Sequence, residues 1–476
     1  MTEITQNNNA GTQDPKGSDN LLHQNNSDRQ NNSERQNNSA GQNQSSNQSK
    51  IIAGIKGMPD ILPKDTPQWA EFESRWRQLM KLYGYEEIRL PILEATRLFK
   101  RSIGEVTDIV EKEMFTFSDR DAQSLSMRPE GTAGCVRACL EHGLLHNQEQ
   151  RLWYQGPMFR YEKPQKGRFR QFHQVGVEAF GYSGPDVDAE HILMMARFWR
   201  WLGIENHIEL QINTLGSADA RQKYRSKLVE YFSKYWDKLD EDSRRRLNSN
   251  PLRILDSKNP ELQDIINQAP ECYEDLSIED KTHFEAFEQR LKAADIKYTI
   301  NPRLVRGLDY YNRTVYEWVT DTLGAQGTVC AGGRYDALVE QLGGRPTPAV
   351  GFALGIERVL MVQQTQGVLS SPKADVYFVC VGNEAEKEAM NFIERLRDKF
   401  PHLKFMLHCG GGSFKNQFKR GDKSGAELAL ILGENELATN TLGIKFLRGI
   451  GEEAQATIAK EKVFSVIADH FKVKDE

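Results

Sequence analysis

The sequence has no uninterrupted apolar run of the roughly eighteen residues that a membrane-spanning helix needs. No basic start leads into an apolar stretch either, which argues against insertion into a membrane and secretion. Cysteine is sparse, at positions 135, 139, 272, 330, 380 and 409, and no CxxC pair is matched by a second pair or by nearby histidines. Cys135 and Cys139 stand four apart in the helical run AGCVRACL and read as packing residues; the expected location is cytoplasmic, with reduced thiols. Basic charge is not in excess. With 62 Lys and Arg against 67 Asp and Glu, the formal charge is -5, so no global field drives nonspecific nucleic-acid binding and any polyanion contact has to be local. Apolar side chains are almost missing from residues 1–50, which are Asn, Gln and Ser with a recurring hexad, QNNSDR, QNNSER, QNNSAG. Such a composition cannot offset its ordering entropy, and the segment reads as a disordered, solvated tail.

At 476 residues the chain is long enough for two or three domains. From Ile51 to about Leu215 helical and strand periods alternate. WAEFESRWRQLMKLYG repeats apolar residues at helical spacing and ends at Gly84, and YEEIRLPILE reads as a strand broken by Pro91. RLWYQGPMFRYE and GRFRQFHQVGVEAFG, joined through Pro164 and Gly167, predict a β-hairpin in an antiparallel sheet. Residues 216–298 are charge-rich and amphipathic and predict a helical insertion, after which strand patterns return in LVRGLDYYNRTVYEWV and AVGFALG. Near Ala374 the pattern changes to strands alternating with helices, which predicts a parallel α/β module over residues 374–476.

The hairpin carries the chemistry. Between Arg160 and Arg170 stand five Lys and Arg, followed by Gln174 and Glu178. Taken as one extended strand over 168–180, Arg168, Arg170, Phe172, Gln174, Gly176, Glu178 and Phe180 share a face, and Val175, Val177 and Ala179 point into a core. Gly176 is read as open surface between Gln174 and Glu178, on which something flat could rest. The cations and the Gln/Glu pair suggest a ligand with an anionic end and an amine-like or imidazole-like end. Neither GxxxxGK[ST] nor GxGxxG occurs, so the phosphates of a bound nucleotide have to be held by arginines directly. His173 falls on the opposite face and reads as structural.

This stretch resembles motif 2 of class II aminoacyl-tRNA synthetases, and PQKGRFRQFHQ is similar to the form found in histidyl-tRNA synthetases. MRPEGTAG (127–134), RGLDYYNRTVYEW (306–318), CAGGRYD (330–336) and AVGFALGIERV (349–359) resemble the substrate strand, two histidine signatures and motif 3 of that family. GYEEIRLPILE (84–94) resembles motif 1, the dimer-forming element. The resemblance implies an α+β catalytic domain on an antiparallel sheet over 51–370, interrupted by the helical insertion, and an anticodon-binding α/β domain over 374–476. It also implies the activity: L-histidine and ATP, accompanied by Mg2+, give histidyl-adenylate, which esterifies the 3′ end of histidine tRNA in a homodimeric, membrane-free enzyme.

Carried over position by position, Arg160 and Arg306 would flank the α-phosphate, with Arg160 also meeting the substrate carboxylate. Arg358 would bind the γ-phosphate, and Arg168 would contact ATP. Glu130, Thr132 and Gln174 would hold the amino group of histidine, Gly131 would belong to the same histidine site, Glu178 and Tyr311 would read the imidazole, and Tyr310 and Tyr335 would complete the pocket. The acceptor end of tRNA would meet Lys163, Gln165 and Lys166; Lys163 stands where relatives often carry Arg. Lys415, Lys419 and Lys423 recur every four residues, a stripe that by itself reads as a solvated face; in a module that resembles an anticodon binder it implies RNA contact. The principal alternative is a noncatalytic relative, the regulatory subunit of ATP phosphoribosyltransferase, which ordinarily lacks the anticodon module and has a degraded catalytic set. A different class II adenylating enzyme is the second alternative, disfavoured by RGLDYY and the Gln174/Glu178 pair.

Overall fold

The computed structural model describes residues 52–104, 107, 109–324, 327–367, 374–448 and 455–472. The Asn/Gln/Ser tail lies outside the described residues. The larger sheet has eight strands in the order β1 (Glu86–Glu87), β5 (Gln150–Phe159), β6 (Gln171–Phe180), β11 (Ala349–Gly355), β10 (Thr328–Arg334), β9 (Asn312–Val319), β7 (Glu209–Thr214) and β8 (Thr299–Ile300). The six inner strands pair antiparallel, and the two-residue edge strands β1 and β8 run parallel to their neighbours. A small sheet of β2 (Leu93–Ala95), β4 (Ser124–Met127) and β3 (Thr116–Ser118) accompanies it.

The period-two pattern of β6 decides which face is core. Val175, Val177 and Ala179 are fully buried and share a cluster with Trp76, Phe198 and Phe352. The first two of those partners come from the helices Thr66–Tyr83 and Pro185–Leu202, which cover one face of the sheet and leave Gln174, Gly176 and Glu178 on the other. The first helix stops at Gly84, whose φ of 70° is the left-handed geometry that closes a helix C-terminus. The expected helical insertion occupies the connection between β7 and β8, with principal helices Ala218–Ser233, Glu241–Ser249 and Ile278–Ala293.

Two local expectations change. YEEIRLPILE forms only Glu86–Glu87 and Leu93–Ala95, in different sheets, because Pro91 lacks the amide that a continuous ladder requires. RGLDYY stays irregular, and β9 begins only at Asn312.

The C-terminal sheet has the order β13 (Phe405–Leu407), β12 (Val376–Cys380), β14 (Leu428–Leu432), β15 (Thr441–Phe446), β16 (Gln455–Ala459). Its first three strands are parallel, as the alternation of strands and helices predicts. β15 and β16 return antiparallel, so the purely parallel reading is corrected. The connection after β14 holds only the short helix Glu434–Ala438, too little chain for a crossover to a parallel neighbour. No described helix is long and apolar enough to cross a membrane.

Candidate active site

Arg160 leaves the end of β5, and the loop that follows closes on itself. The Arg160 amide donates to the Arg170 carbonyl at 2.9 Å, and Gln165 and Arg168 exchange backbone hydrogen bonds of 3.1 and 2.9 Å around Gly167, whose φ is 73°. Strand pairing therefore starts at Gln171, because residues 165–168 are spent on the turn. Arg168 belongs to this loop and not to the strand ladder expected for it, and it forms an ion pair with Glu162. Arg160 lays its guanidinium 5.3 Å from the centre of the Phe172 ring and donates from Nε to the Pro129 carbonyl at 3.0 Å. That bond draws the stretch 127–134 against the hairpin.

Gly176 does not leave open surface. Its partner across the hairpin is Tyr154, whose ring fills the space: a Cβ at 176 would lie 2.6 Å or less from the ring's Cε2, Cζ and hydroxyl. Gly131 accommodates the same ring, since a Cβ there would come within 2.8 Å of it. Tyr154 was not singled out in the sequence, although counting the hairpin register from its loop would have placed it opposite Gly176.

Beneath this ring lies Glu178, 1% exposed. Its Oε1 accepts the hydroxyls of Thr132 at 2.7 Å and Tyr154 at 3.0 Å, and its Oε2 accepts the hydroxyl of Tyr335. Burial pushes the Glu178 carboxyl up to about 8 despite these donors. Glu130, also buried, accepts the amides of Thr132 (2.6 Å) and Ala133 (3.1 Å) at the start of the helix Thr132–Glu141. Burial raises its pKa as well, against the pull of those amides and of Arg160.

One cavity of about 180 Å³ gathers most of the residues singled out above. Arg160, Arg168, Arg306 and Arg358 line it together with Glu130, Gly131, Thr132, Gln174, Tyr310 and Tyr311. Tyr154, Phe169 and the strand segment Thr328–Ala331 also line it, without having been predicted. Glu178 and Tyr335 are not part of the lining and support it from below through Thr132 and Tyr154. The side-chain amide oxygen of Gln174, Oε1, is buried with no protein hydrogen-bond partner, which suits an ammonium donor. Lys163, Gln165 and Lys166 are exposed on the loop outside the cavity. Lys415 and Lys419 are exposed on the helix Phe414–Ser424.

The cavity concentrates positive charge. Arg306 is ion-paired with Glu317, and its guanidinium lies 5.4 Å from the centre of the Tyr311 ring; burial opposes its charge, but Glu317 and Tyr311 hold its pKa up. Arg358 donates to the carbonyls of Gly167 (2.9 Å) and Thr328 (2.6 Å). Burial, and then repulsion from Arg168 and Arg160, push its pKa down. An anionic ligand among these arginines would relieve that repulsion. His173 keeps to the other face, with Nδ1 2.8 Å from Glu357 and its ring edge-on to Trp69. Among the described residues no three His, Cys, Asp or Glu side chains gather as a metal site. The carboxylates at the cavity are already engaged, Glu162 by Arg168, Glu357 by His173 and Glu130 by backbone amides.

The Histidyl-tRNA synthetase family matches residues 57–359, and the Anticodon binding domain family matches residues 375–470. The apo histidyl-tRNA synthetase of S. aureus is 34% identical with a TM-score of 0.72, over 87% of this chain and 99% of that one. Two more distant structures share the fold. The histidyl-tRNA synthetase from Nostoc sp. PCC 7120 is 17% identical with a TM-score of 0.65, over 88% of this chain and 100% of that one. The ATP phosphoribosyltransferase regulatory subunit/histidyl-tRNA synthetase from Bacillus halodurans C is 22% identical with a TM-score of 0.55, over 78% of this chain and 96% of that one. The arginine-lined cavity on an antiparallel sheet thus sits in a chain that belongs to the histidyl-tRNA synthetase family, a ligase that activates histidine with ATP and charges tRNA with it.

Proposed function

We propose that the cavity is where histidine and ATP react, with Arg160 and Arg306 on two sides of the α-phosphate. The observation that supports this reading best is the convergence of Arg160, Arg168, Arg306 and Arg358 on one cavity with Gln174 and Tyr311. The nucleophile is the histidine carboxylate, ionised at neutral pH, so no base is required to generate it. Its oxygen forms a bond to the α-phosphorus as the bond to pyrophosphate breaks. The barrier comes largely from bringing two anions together, and preorganised guanidinium groups lower it by neutralising charge and fixing the line of attack.

Arg358 takes the γ-phosphate and Arg168 a further contact to ATP. Glu130, Gly131, Thr132 and Gln174 hold the ammonium of histidine. The imidazole offers one donor and one acceptor; Tyr311 meets it from the cavity wall with Tyr310 beside it, while Glu178 and Tyr335, which the resemblance puts in direct contact, act from beneath the lining through Thr132 and Tyr154. Mg2+ accompanying ATP would supply charge neutralisation at the phosphates, and among the described residues no cluster of His, Cys, Asp or Glu forms a cage for it. In the second step the 3′ end of histidine tRNA displaces AMP from the adenylate, its acceptor end guided by Lys163, Gln165 and Lys166. Lys415 and Lys419 contact RNA from the C-terminal module.

The same reading divides the chain into a catalytic domain (51–370) with its insertion (216–298) and an anticodon-binding domain (374–476). The enzyme acts as a cytoplasmic homodimer; exposed Leu82, Ile92 and Leu93, within or next to the motif 1 stretch, favour a buried partner surface. The test is Arg306→Ala, which should slow histidine-dependent ATP–pyrophosphate exchange by about 10²-fold or more while histidine still binds. Exchange at the parent rate would refute the assignment.

A further inference from the structure

The loop Arg306–Tyr311 carries an arginine and two tyrosines of the cavity, yet it belongs to no strand, and its backbone needs anchoring from elsewhere. The anchor comes from the insertion. Arg221, on the helix Ala218–Ser233, extends Nη1 to the carbonyls of Asp309 (2.7 Å) and Tyr311 (2.9 Å), on either side of Tyr310. Asn250, at the end of the helix Glu241–Ser249, donates its amide to the Asp309 carboxylate. Arg225 ties that same helix end down through the carbonyl of Ser249 at 2.6 Å. On its other side Asp309 abuts Gly104, where a Cβ would come within 2.7 Å of Oδ2. Asp309 is therefore wedged between the catalytic domain and two helices of the insertion.

We infer that Arg221 is a positioning residue for histidine: by gripping the backbone on both sides of Tyr310 it sets where Tyr310 and Tyr311 stand, while Arg306 is held by its own ion pair with Glu317, and it makes the insertion part of the amino-acid site. The inference rests on the assignment of loop 306–311 to histidine recognition. A guanidinium suits this role because one nitrogen can serve two carbonyls while the rigid fork keeps its direction. The buried charge helps hold the latch closed. Desolvation pushes the Arg221 pKa down and the Asp309 pKa up, and the attraction between the two opposes both shifts. Without Arg221, two partly buried carbonyls lose their donor and the loop is free to relax.

The experiment compares Arg221→Met, Arg221→Lys and Tyr311→Phe in ATP–pyrophosphate exchange, with thermal unfolding as a control. The expected result is a histidine KM about tenfold higher in Arg221→Met, the effect of roughly one charge-assisted hydrogen bond, with the KM for ATP unchanged. Arg221→Lys should be intermediate, since an ammonium reaches one carbonyl without the fork. A rise in histidine KM for Tyr311→Phe but none for Arg221→Met would overturn the latch and leave the loop assignment standing. No rise in either would overturn the loop assignment itself. Equal rises in both KM values, or a loss of turnover alone, would also overturn the latch, by showing a general structural defect. Should Arg221→Met fail to fold, Asn250→Ala removes the second contact to Asp309 and takes the same readouts.

Discussion

Substituting Gly176 with alanine tests how the Tyr154 side of the cavity is built. The added methyl would stand 2.6 Å or less from three atoms of the Tyr154 ring, and the ring cannot retreat, because Gly131 leaves room for it and no more. Overpacking of this kind costs about 1–3 kcal/mol. Displacing the ring also breaks the 3.0 Å hydrogen bond from Tyr154 to Glu178, worth about 1 kcal/mol more. At about 2 °C per kcal/mol for a domain of this size, Tm should fall by about 4–8 °C. The histidine KM should rise as well, since Thr132 and Tyr154 share the Glu178 carboxylate. Differential scanning fluorimetry and pyrophosphate exchange read both effects. A double-mutant cycle with Tyr154→Ala isolates the clash: the pair should cost less than the sum of the single changes, because the methyl then has space. A Gly176→Ala variant with the parent Tm and histidine KM, or strict additivity in the cycle, would refute the sandwich.

Glu178 makes stability depend on pH. Its folded pKa of about 8 lies above the ordinary 4.5, so the folded state keeps a proton that the unfolded chain releases; its contribution is full below about pH 4.5 and is lost as pH rises through 8. Relative to Glu178→Gln, the parent should lose about 1.4 kcal/mol per pH unit between pH 6 and 8, measured by urea unfolding; parallel pH profiles would disprove this. Asp188 and Arg334 are both fully buried, with Nη2 2.7 Å from Oδ2. Asp188→Asn should therefore cost about 3 kcal/mol, since the buried cation is left with Asp336 alone, 3.2 Å from its Nη1, and an unchanged Tm would contradict that. Replacing Lys415 and Lys419 with alanine should weaken tRNA charging and flatten its salt dependence without changing pyrophosphate exchange; charging at the parent rate would remove their RNA role.

Much of the site was legible because strand alternation and helix punctuation are local. Val175, Val177 and Ala179 go to the core and Gln174 and Glu178 to the other face, as the period of two requires. The arginines at 160, 168, 306 and 358 could be recognised from their stretches, and they share the cavity. The space above Gly176 was misjudged because a missing side chain says nothing about what fills its place, and here the filler is on another strand. Arg168 was placed one turn too far into the strand because the 165–168 turn depends on hydrogen bonds that close only when the loop folds.

By itself the sequence determined the hairpin, the helical insertion, the start of the α/β module and the set of charged and aromatic residues available for chemistry, since each follows from periodicity or from Gly and Pro within a few residues. Only the tertiary structure decided that Tyr154 lies between two glycines, that Glu178 is held beneath the cavity and pushed toward neutrality, and that Arg221 reaches the loop before β9. Those contacts join residues far apart in the chain, and their distances are set by strand register and packing, which no short window of sequence contains.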